Sequence, residues 1–303
     1  MKESDLHEWL RRTIPPGKGV LVGIGDDAAL VDTKGPLAAA SDILVEGVHF
    51  ERSTARPEQI GAKAINRNLS DMAAMGLEPR WILVGAALPE GLGEDFIKAL
   101  IGSMADAAGA FGASLVGGDT ARSPGPLVID VTVLAPTESL KPVLRSGAME
   151  GDRILVTGAL GGASLGKHLD FVPRVREGVS LNRQFSPTAM IDISDGLDRD
   201  LCRILDASGV GAQLEGDRIP ISGDARRLAA ETGRDPLDHA LTDGEDFELL
   251  LTLPPDRAAR VAGEGDFALA ITDIGVIVAG SRRLILRGGE ERLLKGEGFD
   301  HAF

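Results

Sequence analysis

The chain has no tyrosine, a single cysteine, and aromatic residues at only 4% of its 303 positions. Binders of single-stranded nucleic acid stack bases on aromatic side chains, so this composition argues against that class. Cys202 has no partner for an internal disulfide, which suits a reducing, cytoplasmic setting. Within the helical pattern RDLCRIL it reads as a core residue, not a nucleophile. Basic residues are also few: 32 Lys and Arg stand against 46 Asp and Glu, a formal net charge of −14. A surface for nucleic acid normally has the opposite sign. Phosphates bound by such a chain need divalent cations between them and its carboxylates. No apolar window reaches the length of a membrane span, and MKESDLHEWLRR lacks the apolar stretch of a signal peptide.

What is abundant is glycine, 39 residues, enough for many tight turns and close backbone approaches. The length predicts two domains. In the first, GVLVGIGDDAALV and PLAAASDILVEGVHF read as strands, RPEQIGAKAINRNLSDMAAMG as a helix, and RWILVGAAL, SLVGGDTAR and LVIDVTVLA as further strands around the helix GEDFIKALIGSMADAAGAFG. The turn-rich APTESLKPVLRSGAMEGDR reads as the connection, placing the domains at 1–137 and 138–303. In the second, RILVTG, TAMIDIS, DFELLLTL and LAITDIGVIVA read as strands and DGLDRDLCRILDASG as a helix ended by Gly209. GASLGKHL reads as a helix start, and the tail as a hairpin turning at Gly288-Gly289. Strand-to-strand neighbours predict an α+β class in preference to a doubly wound parallel sheet.

One stretch raises the possibility of a P-loop. GGASLGKH follows a strand and carries Gly-Lys, but His168 stands where a P-loop needs the Ser or Thr hydroxyl for Mg²⁺. The acidic pattern is more informative. Asp26 and Asp27, then Asp42, Glu46 and His49, then Asp119, Asp192, Asp195, Glu245 and Asp246 lie at strand ends or beside glycine. Asp71 stands within a small, apolar helix segment, with Asn68 one turn before it. Any one of these acids also suits a turn or a helix cap. Jointly, with no matching basic cluster, they predict hard oxygen ligands for Mg²⁺ and a phosphoryl-transfer site.

In this order, GIGDDAAL, SDILVEGVHF, NLSDMAAMG, LVGGDTAR, MIDISDGL and DGEDFELL resemble the thiamine-monophosphate kinase family, within a superfamily that includes aminoimidazole ribonucleotide synthetase and selenophosphate synthetase. The resemblance runs from about residue 20 to GFDHAF. It implies a two-domain α/β protein whose N-terminal domains pair in a homodimer, with ATP in the cleft. It implies direct phosphoryl transfer from ATP to thiamine monophosphate with several Mg²⁺ ions. By motif, Asp26, Ser41, Asp42, Asp71, Asp119, Asp192 and Asp195 would be metal ligands, with Asp42, Asp71, Asp119 and Asp192 the catalytic set. Gly118, Asp119, Arg145 and Ser194 would contact ATP, and His49, Glu245 and Phe299 would face thiamine monophosphate. The resemblance also makes GGASLGKH a Gly-rich packing connection, leaving Lys167 without a phosphate role. The chain departs from the family pattern at Ser41 (more often Thr), Arg67 (usually small and apolar), Asp243 (commonly Gly), Phe247 (commonly Tyr) and in a short 166–190 segment. The alternatives are a superfamily enzyme with another acceptor and a catalytically silent metal-binding paralogue.

Overall fold

The structure is a computed structural model that describes residues 3–24, 29–264 and 267–300, so Asp26 and Asp27 lie outside the described residues. The chain divides into two units, Met1–Met72 with Leu77–Lys141, and Ala73–Gly76 with Pro142–Phe303.

The first unit runs α1 (Glu3–Thr13), β1 (Val20–Val22), β2 (Leu30–Val31), β3 (Leu37–Val45), α2 (Pro57–Ala74), β4 (Trp81–Pro89), α3 (Glu94–Gly109), β5 (Ser114–Ser123) and β6 (Val128–Pro136). The strand predicted over GVLVGIGDDAALV is in fact broken: β1 and β2 pair antiparallel with each other, so the chain reverses between them. The main sheet has the order β3-β6-β4-β5. β6 is antiparallel to β3 and β4, while β4 and β5 are parallel. A parallel pair requires a crossover, and α3 supplies it, burying Leu100, Met104 and Ala108. Side chains alternate across a strand, so Ile129, Val131 and Val133 of β6 are buried while Asp130 between them is exposed. On the opposite, open face Leu37, Ile43 and Leu83 are exposed.

The second unit runs β7 (Arg153–Thr157), α4 (Lys167–Asp170), α5 (Val175–Phe185), β8 (Ala189–Asp192), α6 (Leu197–Ser208), β9 (Gly211–Glu215), α7 (Gly223–Thr232), α8 (Pro236–Thr242), β10 (Leu249–Leu253), α9 (Pro255–Glu264), β11 (Ile271–Val278), β12 (Arg282–Ile285) and β13 (Glu291–Leu293). The sheet order is β13-β12-β9-β11-β7-β10-β8, antiparallel except for the β12–β9 pair. β10 is buried along its whole length, which is why it reads as the unbroken run LLLTL. α6 buries Leu197, Leu201, Ile204 and Leu205 and ends at Gly209, whose φ of 68° is a conformation glycine adopts without steric cost. The tail hairpin forms as predicted, β12 pairing antiparallel with β13. Two expectations change. DFELLLTL becomes a strand only from Leu249, and GASLGKHL is a 3₁₀ turn over Ala163–Leu165 followed by the single turn α4. Mixed helices and mixed sheets in both units make the class α+β. Among the described residues no helix is long and apolar enough to cross a membrane.

Candidate active site

In the first unit, two neighbouring candidates serve different faces of one sheet. Ser41 and Asp42 are consecutive on β3, so their side chains leave on opposite sides. Ser41 Oγ donates to Val131 O at 3.1 Å, lies 3.1 Å from Thr132 Oγ1 and is 3.2 Å from Asp130 Oδ1. Register across the sheet aligns Asp130 with Gly85 and Gly85 with Asp119. The glycine between the two acids has no side chain to fill the space. Asp119 Oδ1 accepts the Thr120 N–H at 2.8 Å. Gly118 beside it is obligatory: a Cβ there would fall 2.0 Å from Val84 O. A cavity of about 1280 Å³ is lined by Gly117, Gly118, Asp119, Thr120, Asp130 and Thr132, among others. Asp130 and Thr132 were missed in the sequence because VIDVTV reads simply as an alternating strand.

Asp42 faces α2. Its N–H donates to Asn68 Oδ1 at 3.1 Å, and Asn68 Nδ2 donates to Ala64 O at 3.1 Å, so the amide pins β3 to the helix. Asn68 is buried and Asp71, one turn on, is half-buried. Arg67 Nε lies 3.8 Å from Asp42 Oδ2, and its Nε and Nη1 are buried with no hydrogen-bond partner among the described residues. The charge that departs from the family pattern therefore sits beside a predicted metal ligand. His49 closes the turn after β3, its Nδ1 accepting the Val45 N–H at 3.0 Å, while its carbonyl accepts from buried Lys63 Nζ at 2.8 Å. Glu46 is held by Arg52 and by the Leu127 N–H.

In the second unit, the loop after β8 is the organising element. Asp192 ends the strand, buried. The backbone N–H groups of Ser194 and Asp195 both donate to Asp200 Oδ2, at 3.0 and 2.9 Å. Arg203 bridges Asp195 and Asp200. Burial pushes the Asp200 carboxyl up to about 7, opposed by the Asp195 N–H and Arg203 and reinforced by the Asp192 charge. Two distant segments close on this loop. Glu245 N–H donates to Ser194 O at 2.7 Å, and Phe299 N–H donates to Asp195 O at 2.9 Å. The structure thus brings Asp192, Ser194, Asp195, Glu245 and Phe299 together. Arg145 is exposed, its carbonyl accepting from Ser208 Oγ at 3.3 Å.

GGASLGKH is not a phosphate cradle. Gly161 N–H donates to both carboxylate oxygens of Asp246 at 2.9 Å, and Gly162 N–H to Asp243 Oδ2 at 3.0 Å. Lys167 Nζ donates to Glu248 Oε1 at 3.0 Å. The groups a P-loop would offer to phosphate are taken by internal carboxylates. Asp243, which stands for a common glycine, is turned toward this loop and toward His239 Nδ1 at 2.9 Å. Phe247 is buried and stacks on Phe171 with centroids 3.9 Å apart, so no hydroxyl is needed there. Cys202 is buried, and its thiol is pushed up to about 11 by burial and then by Asp198.

Among the described residues, no three His, Cys, Asp or Glu side chains form a ready-made metal cage. The oxygens gathered about Ser41 Oγ, from Asp130, Val131 and Thr132, are the hard donors that Mg²⁺ takes alongside waters and substrate phosphates.

Comparison with known proteins settles the family. Residues 25–136 match the AIR synthase related protein N-terminal domain and residues 149–286 its C-terminal domain. Thiamine-monophosphate kinase of Rhodopirellula baltica is 41% identical over 268 residues, 86% of this chain and 84% of the relative. The chain belongs to the thiamine-monophosphate kinase family. A crystal structure of a family member from Stenotrophomonas maltophilia K279a superposes with a TM-score of 0.79 at 35% identity, covering 94% of this chain and 95% of that one. AaThiL complexed with AMPPCP and TMP superposes at 0.77 and 29% identity, over 99% and 97%. The family's mixed-sheet, two-domain architecture is therefore the one described above.

Proposed function

We propose that this chain transfers the terminal phosphoryl group of ATP to thiamine monophosphate, giving thiamine diphosphate. The observation that best supports it is the meeting of Glu245 and Phe299 on the Ser194-Asp195 loop. Both a carboxylate and an aromatic residue are thereby anchored to one loop, the residue types that suit the cationic thiazolium of the acceptor, and the neighbouring acids suit Mg²⁺ and phosphate. The acceptor phosphate is already an anionic nucleophile near neutral pH, so positioning and charge neutralisation suffice.

In this reading Asp42 and Asp71 hold metal on the α2 side of β3, Ser41 and Asp119 hold it on the opposite sheet face, Asp192 and Asp195 hold it in the second unit, and Asp26 completes the ligands. Asp130 joins them from its place across Gly85. Mg²⁺ would neutralise developing charge on the transferred phosphoryl group. Gly118 and Asp119 face ATP, as do Ser194 and Arg145; His49 faces the acceptor. The 1280 Å³ cavity beside Gly118 is large enough for a nucleotide. Pairing of the N-terminal units in a homodimer would cover Leu37 and Ile43 at the β3 edge of the open sheet face. The setting is cytoplasmic.

The test is formation of thiamine diphosphate from thiamine monophosphate, ATP and Mg²⁺, with wild type beside Asp42→Ala. Product from wild type alone supports the proposal. ATP binding without product would transfer the reaction to another acceptor, and absence of both would leave a silent paralogue.

A further inference from the structure

The segment Asp243–Glu248 holds an unusual backbone. Gly244, Glu245 and Phe247 have φ of 73°, 53° and 50°. For residues with side chains this region is strained and persists only where surroundings over-determine it. On one side the constraint is the β8–α6 loop: Ser194 O takes the Glu245 N–H and Ile193 O takes the Phe247 N–H at 2.8 Å. On the other side the constraint is electrostatic. Asp246 is 1% exposed and takes the Gly161 N–H through both oxygens, with Lys167 Nζ 3.7 Å from Oδ1. Glu248, equally buried, accepts from Lys167, from Arg174 at 2.6 and 2.7 Å, and from Thr157 Oγ1 at 2.8 Å. Gly161 itself has a φ of 85°, and a Cβ there would sit 2.7 Å from Ala240 N, so only glycine fits where the loop meets the carboxylate.

We infer that Asp246, clamped between the Gly161 N–H and Lys167, is a positioning residue that holds Glu245 in the left-handed conformation needed to face the acceptor. The glycine-lysine stretch is thus bent around a carboxyl group that belongs to the protein. That carboxyl is buried against Gly161, and the backbone N–H of its sequence neighbour Glu245 is held by the Ser194 loop. An amide at this position cannot take the Gly161 N–H through two oxygens, so Asp246→Asn frees the turn to relax from its strained backbone and withdraws Glu245. The effect falls on the acceptor, because Glu245 is the residue displaced. This inference rests on the assignment of Glu245 to the acceptor.

The test compares KM for thiamine monophosphate and for ATP in wild type, Asp246→Asn, Glu245→Gln and the double variant. We expect Asp246→Asn to raise the acceptor KM tenfold or more with ATP KM within twofold. The double variant should be no worse than Glu245→Gln alone, since residues acting through one another are not additive. Equal effects on both substrates, or additive losses, would overturn the inference. Should Asp246→Asn fail to fold, Lys167→Met is read by the same criteria. Should the wild type not use thiamine monophosphate, the function proposed above fails separately. Hydrogen exchange of the Glu245 and Phe247 amides then decides the positioning: protection lost in Asp246→Asn upholds it, and protection retained refutes it.

Discussion

Replacing Glu248 by Met removes a buried carboxylate and keeps an unbranched side chain of similar length. Thr157, Lys167 and Arg174 all converge on that carboxylate. Removing one partner of a buried ion pair costs about 3–5 kcal/mol, chiefly because the remaining charge has no counterion. Here the remaining charges are partly solvated: the side chains of Lys167 and Arg174 are 26% and 21% exposed. The low end, about 3 kcal/mol, is therefore expected. For a unit of this size, each kcal/mol moves the melting temperature by about 2–4 °C, so the second unit should melt roughly 6–12 °C lower. Calorimetry without nucleotide measures this. Arg174→Met in the Glu248→Met background should recover part of the loss, because it removes one uncompensated charge. A drop below about 2 °C, or a further loss in the double variant, would refute the reasoning.

Three other outcomes are expected. Arg67→Val removes a cation 3.8 Å from Asp42; with Asp42 partly exposed this is worth about 1 kcal/mol, so Mg²⁺ should support ATP binding at roughly fivefold lower concentration, read by calorimetric titration. Gly178→Ala would place a Cβ 2.2 Å from Ala73 O, and overpacking of this kind costs about 1–3 kcal/mol, measurable by urea denaturation. Burial pushes the Asp246 carboxyl from 3.8 up to about 7, against the pull of Lys167 and the Gly161 N–H. The folded chain then binds more protons than the unfolded one, so this group's contribution to stability is full below about pH 4 and declines as pH rises through 7. Denaturation across that range should show a shallower decline in Asp246→Asn than in wild type.

Much of the fold was legible because strong local patterns matched tertiary use. The run LLLTL announces a strand covered on both faces, and RILDASG a helix stopped by glycine. The α5, α7, α8 and α9 helices and strand β9 were not read, since their apolar positions gain meaning only against the sheet they pack on. Among site residues, Asp192, Ser194 and Asp195 are neighbours in sequence, but Glu245 and Phe299 are brought to them by the fold, through backbone hydrogen bonds made across the second unit. Asp130 was hidden in an ordinary strand alternation; its place opposite Gly85 is set by strand register.

The sequence by itself determined the inventory: an acidic chain with carboxylates at strand ends, a lone buried thiol, and two domains of mixed class. These follow from composition and periodicity, which act residue by residue. The tertiary structure decided direction and pairing. Ser41 and Asp42 are adjacent in sequence yet face opposite sides of β3, Arg67 comes to Asp42 from another element, and the GGASLGKH amides are spent on Asp243 and Asp246. The physical reason is that a buried polar group must find its partner wherever the packed chain supplies one, and that partner lies at Asp243, Asp246 and Glu248, some eighty residues away in sequence.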